Sequence, residues 1–348
     1  MTSAEYPPRL ECATLPTPIE RLARFSDAVG CGVDVWVKRD DLTGFALSGN
    51  KIRKLEFSFG RALAAGATGF VTCGGYDSNH CRATAFLAAR FGLRSHLFLR
   101  TEDGAAPEQL SGNTLLDQLV GAEITWISRQ QYAGRNELMA EYAQRAAAAG
   151  EVLAVIPEGA SDEIGSFGYV HAAAELNEQL RQQDLSVSHV VHAVGSGGTT
   201  AGLSAGRAVH GGDWRILGVP VCDDGAYFRG RVEPIRHEME RFSVPELVGD
   251  GGIDFADGYG GRGYGLTTPE ELRVLHALCR LEGLLLDPCY TGKAFVGLLR
   301  EIQQGRFAAG SKVLFLHTGG GFSNYAFADE WRELLAEEIP ADPRDALA

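Results

Sequence analysis

Along this chain, short apolar runs rich in β-branched residues alternate with longer alanine-rich segments whose apolar positions recur every three or four residues. The short runs predict strands at Val33–Lys38, Gly69–Thr72, Ser95–Leu99, Glu123–Ile127, Val152–Ile156, Ser188–Ala193, Ile216–Val221 and Lys312–His317. The longer segments predict helices over Asn50–Ala65, Asn79–Phe91, Thr114–Val120, Arg135–Ala149, Ser166–Leu180, Thr200–Val209, Thr268–Glu282 and Gly292–Gln303. Strand, turn, helix and strand in that order is the signature of βαβ units, hence of a parallel sheet covered on both faces. The glycine-dense stretch Gly249–Gly265 breaks the rhythm and reads either as a loop near a ligand or as a long surface connection.

Composition narrows the class. With 348 residues there is room for two ordinary domains or one large α/β unit, and 45% hydrophobic with 22% charged residues is globular. A formal net charge of −13 argues against nucleic acid or an anionic membrane as partner, since both select a basic face. It leaves an anionic small molecule open, because one positive site can sit inside an acidic shell. No apolar run approaches the ~20 residues of a spanning helix, and Met1–Leu10 lacks the apolar core of a signal peptide. The seven cysteines form no C-x-x-C, so no metal site is expected, and reduced thiols in the cytoplasm are the plain reading.

Lysine is scarce. Lys38, Lys51, Lys54, Lys293 and Lys312 stand among many arginines, so each invites a question. Arginine cannot replace a lysine that must lose its proton or form a carbon–nitrogen double bond. Lys51 falls in the first turn of a predicted helix, where the macrodipole disfavours a cation. The chemistry that suits it there is a neutral or imine-bonded amine; the competing reading is a surface lysine paired with Glu56. Lys54 reads as an ordinary surface residue. Lys293 begins a helix, either at the surface or as a second lysine near the site.

Three small polar turns, Ser48-Gly49-Asn50, Asp77-Ser78-Asn79 and Gly195–Thr199, stand at helix starts, where free N–H groups hold anions. Gly195-Ser196-Gly197-Gly198-Thr199 follows a strand and has the form of a phosphate cradle. Its glycines also approximate a dinucleotide fingerprint with Asp223 and Asp224 downstream, which would make the chain a nicotinamide-dependent oxidoreductase and leave Lys51 without a task. Asp77-Ser78-Asn79-His80 suits a carboxylate; His80 alone reads more readily as a structural histidine. Arg262–Gly265, Leu286–Lys293 and His317–Gly321 place hydroxyl groups on glycine-rich backbone, where a buried structural tyrosine is the default.

Taken in order, KRDDLTG from Lys38, SGNKIRKLEF from Ser48, the SNH turn, PEGAS at Pro157–Ser161, GSGGTTAGL from Gly195 and LLDPCYTGKA from Leu285 carry a resemblance. It extends from LPTPIERL at Leu15–Leu22 to HTGGG at His317–Gly321. The chain resembles fold-type II pyridoxal-phosphate enzymes, more narrowly the branch of D-cysteine desulfhydrase and 1-aminocyclopropane-1-carboxylate deaminase. The resemblance implies a tryptophan synthase β-like α/β fold with two open parallel-sheet domains and pyridoxal 5'-phosphate in the cleft. The large cofactor domain would comprise residues 1–54 and 166–348, with a small domain inserted at 55–165, and the enzyme would be a homodimer.

It also implies roles. Lys51 corresponds to the Schiff-base lysine, with Asn50 before it; Ser78, Asn79 and His80 match the substrate-carboxylate turn, Asn79 also reaching the cofactor hydroxyl. Gly195, Ser196, Gly197, Gly198 and Thr199 match the phosphate loop. Tyr264 and Tyr290 correspond to paired tyrosines on the substrate face, and Thr291 and Thr318 fall beside the pyridine nitrogen. The ring-opening deaminases carry glutamate where Thr291 stands. A hydroxyl there leaves the ring nitrogen largely unprotonated, which suffices for β-elimination and favours a desulfhydrase-like lyase acting on a small β-substituted amino acid. The family's turn usually reads Gln-Ser-Asn, so Asp77 departs from it. A carboxylate beside a carboxylate site weakens binding unless it is protonated, turned away, or facing a substrate amine.

Overall fold

The structure is a computed structural model that describes residues 6–337 and 340–347. Its strands run β1 Ile19–Arg21, β2 Asp34–Lys38, β3 Gly69–Gly75, β4 Arg94–Arg100, β5 Glu123–Ile127, β6 Leu153–Val155, β7 His189–Val194, β8 Arg215–Pro220, β9 Ile253–Phe255 and β10 Lys312–Leu316. The helices are α1 Ala23–Val29, α2 Asn50–Ala64, α3 Asn79–Arg90, α4 Gly112–Leu119, α5 Arg129–Tyr132, α6 Arg135–Ala148, α7 Phe167–Gln182, α8 Gly198–His210, α9 Gly225–Met239, α10 Pro269–Glu282, α11 Thr291–Gln303 and α12 Ala328–Ala336.

Two sheets result. The first has the order β1-β2-β10-β7-β8-β9, parallel except for the antiparallel edge strand β1. The second, β5-β4-β3-β6, is parallel throughout. Strands of the first are apolar on both faces because both faces are covered. On β10, Val313 and Phe315 join a core with Phe25, Leu275 and Phe295 from α1, α10 and α11. The alternate residues Leu314 and Leu316 join an opposite core with Val170, Leu203 and Ile235 from α7, α8 and α9. The second sheet packs Phe70 of β3 against Phe59 of α2, ring centroids 3.6 Å apart.

All eight predicted strands and all eight predicted helices occur, with ends shifted by a few residues. The α/β fold with two parallel sheets is as expected. Edge strands β1 and β9 escape the pattern because their three residues include charged ones, Glu20 and Arg21 in β1 and Asp254 in β9, whereas the equally short β6 is wholly apolar. Helix α9 carries Pro234 in its interior, and its apolar positions are sparse. The glycine-dense stretch is not all loop, since β9 lies within it.

One buried ionic cluster fixes the start of α2. Arg53 donates through Nε and Nη2 to both oxygens of Asp40, at 2.9 and 2.8 Å, and through Nη1 to Glu175 on α7 at 2.9 Å. Asp40 also accepts from Thr17 and Tyr169, at 2.8 and 2.7 Å. Lys38 reaches Glu175 at 2.5 Å. Lys38 and Asp40 of the charged run are therefore internal scaffolding that sets the position of the helix bearing Lys51, while Arg39 and Asp41 pair nearer the surface.

Candidate active site

The carboxyl ends of parallel strands expose backbone at the point where ligands of open α/β sheets collect. Here the ends of β3, β7 and β10 converge on a cavity of about 670 Å³, counted out to its mouth. Its walls include Asn50, Lys51, Ser78, Asn79, His80, Gly195, Ser196, Gly197, Thr199, Tyr264, Tyr290 and Thr318. Predicted residues from Asn50 to Thr318, far apart in sequence, thus meet at one place.

Lys51 sits half-buried in the first turn of α2. Gly49, at φ +103°, lets the preceding loop lie against Thr318, whose carbonyl a Cβ would meet at 2.8 Å. Asn50 N–H donates to that carbonyl at 3.0 Å, and its side-chain amide donates to Thr199 at 3.2 Å. Burial lowers the pKa of Lys51 to about 8, against the opposing pull of Glu158. An amine that is partly neutral near neutral pH is the result.

Across the cavity, Gly195-Ser196-Gly197 leads from β7 into α8 and so stands at the positive end of that helix's dipole. Behind it, Ser196 Oγ lies 2.7 Å from Ser161 Oγ, which accepts from Lys54 at 2.8 Å. Lys54 is completely buried and its pKa is driven well below the ordinary lysine value by that burial and by Lys51. This corrects its reading as a surface residue. The i, i+3 spacing from Lys51 was the available signal.

At the third wall, Ser78 caps α3, its Oγ accepting from Cys81 N–H at 3.2 Å. The hydroxyl of Thr72 donates to the Ile156 carbonyl and so accepts from His80 Nε2, 2.8 Å away. The proton of His80 is thereby on Nε2, and Nδ1 is a buried acceptor without a partner. Burial, with Lys51 and Lys54 nearby, holds His80 neutral. The fourth wall is a tyrosine pair: Tyr290 donates to Tyr264 Oη at 2.6 Å, and burial raises both pKa values. Arg100 lies 5.2 Å over the Tyr264 ring.

Three predicted residues do not line the cavity. Thr291 spends its hydroxyl on Asp287, donating at 2.6 Å and accepting from the Asp287 N–H at 2.9 Å. Gly198 faces Lys54 and Ser161, which a Cβ would meet at 2.5 and 2.7 Å. Asp77 turns away from the cavity, as a substrate-binding role would not require: its Oδ1 accepts from Asn113 N–H at the start of α4, at 2.6 Å. Burial raises its pKa to about 6. Lys293 is buried but also outside the lining, where it donates to the carbonyls of Gly260 and Gly263 at 2.7 and 2.5 Å and so braces the loop presenting Tyr264. Asp224 is the N-cap of α9, and neither it nor the exposed Asp223 lines the cavity as a ribose-binding acid would.

Sequence reasoning missed Glu158 and His192. Glu158 lines the cavity and is held by Tyr132 at 2.7 Å and Arg135 at 3.2 Å. His192 has its pKa lowered to about 4 by burial and accepts from Thr200 at 3.2 Å. Glu158 stands inside the PEGAS motif, but its partners Tyr132 and Arg135 come from other elements, and His192 lies in an apolar strand where only burial distinguishes it.

The donor set fits pyridoxal phosphate. Gly159 lies between Lys51 and the cradle, and a Cβ there would come within 2.7 Å of Ser196 Oγ and 3.4 Å of Lys51 Nζ. Its missing side chain keeps open the space that an aldehyde-bearing phosphate would span. Two open parallel sheets with a cleft at their carboxyl ends, a lysine on one side and a glycine cradle on the other, define a fold-type II cofactor enzyme. Comparison with known proteins agrees, for residues 11–319 match the family described as pyridoxal-phosphate dependent enzyme. The chain belongs to that family, and its cofactor is pyridoxal 5'-phosphate.

Among relatives, it is 41% identical over 319 residues to a putative 1-aminocyclopropane-1-carboxylate deaminase of Thermotoga maritima, covering 91% of this chain and 98% of the relative. It is 39% identical to a mitochondrial bifunctional D-cysteine desulfhydrase/1-aminocyclopropane-1-carboxylate deaminase of Arabidopsis thaliana, covering 96% and 84%. The crystal structure of an ACC deaminase homologue superposes with a TM-score of 0.85 at 36% identity, covering 94% of this chain and 96% of that one. The nicotinamide reading is overturned by this membership.

Proposed function

We propose that the enzyme carries its cofactor on Lys51 and catalyses α,β-elimination on a small β-substituted amino acid, as a D-cysteine desulfhydrase does. Elimination releases sulfide or a related leaving group, and hydrolysis of the unsaturated amino acid left behind consumes one water to give a 2-oxo acid and ammonia. The observation that carries this reading is the acid content of the lining: Glu158 is its one carboxylate among the described residues, and it is tied to Tyr132 and Arg135. Thr318 offers a hydroxyl in the lining; by the resemblance, the ring-opening deaminases carry glutamate at the position of Thr291, whose hydroxyl here is spent on Asp287.

The cofactor, when bound, supplies the electron sink that acidifies the substrate Cα–H bond. The residues do the rest. Gly195–Thr199 hold the phosphate, and Lys54 acts on it through Ser161 and Ser196. Ser78 and Asn79 receive the substrate carboxylate at the start of α3. The Lys51 amine, neutral in part near neutral pH, takes the Cα proton. Tyr264 accepts from Tyr290, so its own proton is free for the leaving group.

Ring opening remains the second reading, because a relative at 39% identity is named for both activities. Assaying D-cysteine, L-cysteine, cysteate and 1-aminocyclopropane-1-carboxylate side by side separates them. Sulfide release from D-cysteine as the highest kcat/KM is the expected outcome; turnover of the cyclopropane acid alone contradicts it.

Three coarser features accompany this reading. The inserted small domain at 55–165 would hold the four-stranded sheet, whose strands lie between Gly69 and Val155. No described helix is long and apolar enough to cross a membrane, and seven free cysteines suit the cytoplasm. For the homodimer, Phe45 is 86% exposed and meets Phe322 edge-on at 5.5 Å, and Tyr325, 69% exposed, ends the short helical turn that bears Phe322. Sedimentation equilibrium is expected to show twice 37.3 kDa, and Phe45→Asp to shift it toward the monomer. A wild-type monomer at micromolar concentration contradicts the dimer.

A further inference from the structure

Asn79 lines the cavity, and either end of its amide could face a ligand. Its neighbours decide which. Arg82, one turn further along α3, is completely buried and donates through Nη1 to the carbonyl of Ala46 and through Nη2 to that of Ser48, the latter at 2.9 Å. Its Nε donates to Asn113 Oδ1 at 2.7 Å. A guanidinium has no acceptor, so this contact has one polarity. Asn113, also completely buried, must therefore turn its Nδ2 the other way. That nitrogen donates to Asn79 Oδ1 at 3.0 Å, with the Asp77 carbonyl and Ser323 Oγ at 3.0 and 3.2 Å sharing its two protons. The carbonyl end of Asn79 is thus occupied, and its Nδ2 is the end left for a ligand.

We infer that Arg82 and Asn113 form a polarity relay that makes Asn79 an N–H donor toward an anionic oxygen in the cavity. Asn113 is a positioning residue, and Arg82 anchors the relay to the loop that precedes Lys51. The oxygen belongs either to the cofactor ring or to the substrate carboxylate. The inference rests on the proposed reading of Asn79 as a ligand-binding residue.

Asn113→Asp tests it, because an acceptor then faces Asn79. The Asn79 amide turns over to donate to that acceptor and offers its oxygen to the cavity instead. Two quantities are read: the affinity of the apoenzyme for pyridoxal phosphate by visible titration, and the KM for the amino acid at saturating cofactor. Loss in the first places the oxygen on the cofactor, and loss in the second alone places it on the substrate. Asn113→Asp is expected to weaken one of them roughly tenfold or more, as removal of a hydrogen bond to a charged group does.

In an Asn79→Ala background the same change is expected to cost nothing further, whereas a merely structural Asn113 would cost as much there. Additive losses, or a silent Asn113→Asp beside a damaging Asn79→Ala, overturn the relay alone. A silent Asn79→Ala overturns the reading of Asn79 and the relay with it. If the buried carboxylate blocks folding, Asn113→Ala takes its place in the cycle with the same expected non-additivity.

Discussion

Replacing Lys51 with alanine is expected to give a folded protein without the visible band of a lysine-bound cofactor, its turnover lower by on the order of a thousandfold or more. Two losses combine in that figure. The amine that anchors the cofactor disappears, and so does the base placed to take the substrate proton. Folding should be unharmed or improved, since burial already depresses the Lys51 pKa to about 8 and alanine removes a group whose charged form the site disfavours. Lys54→Ala is the informative companion. That residue is buried and hydrogen-bonded to Ser161, so its loss should weaken cofactor binding while leaving colour at saturation. Visible spectra of both variants reconstituted with pyridoxal phosphate distinguish the two lysines. The band of a lysine-bound cofactor retained in Lys51→Ala and lost in Lys54→Ala would reverse their roles.

The largest stability effect should come from Asp40→Ala. Asp40 is completely buried and receives Arg53, Thr17 and Tyr169, so its removal leaves a guanidinium that is itself 1% exposed with Glu175, shared with Lys38, as its remaining carboxylate. Breaking one side of such a pair costs about 3–5 kcal/mol. Urea unfolding should show a lower midpoint at unchanged slope. A loss below about 1 kcal/mol would mean that Glu175 alone neutralises Arg53.

The same cluster predicts acid sensitivity. Arg53 and Lys38 hold the pKa of Glu175 near about 2, against an ordinary 4.5, and that of Asp40 is also lowered. A depressed carboxylate contributes stability that is fully present above its unfolded pKa and is lost as pH falls through the folded value. Stability should therefore decline from about pH 4.5 down toward pH 2. Because this cluster positions α2, cofactor retention should decline with it.

What could be read from sequence was what is local. Lys51, the glycine cradle and the Ser78 turn each sit at a helix start, where residue type and position carry the chemistry together. The sheet order was less legible, because the three residues of β1 and of β9 include charged ones and leave almost no apolar trace. Lys54 was misread because burial on the inner side of α2 comes from packing against the Ser161 segment, 107 positions away. Asp77 and Thr291 were placed in the cavity by motif alone. Their side chains instead close hydrogen bonds to Asn113 and Asp287, and only the fold shows which way they turn. That answers the puzzle of an acid on the substrate turn, since Asp77 serves the start of α4.

The central claim is that Lys51 bears the cofactor. Borohydride reduction of the holoenzyme, followed by peptide mass spectrometry, tests it at the level of the bond. The account predicts a single phosphopyridoxyl label on the peptide containing Lys51, at the Lys51 Nζ. A label on Lys54 or Lys293, or an unmodified Lys51 in protein that was visibly yellow before reduction, would contradict it.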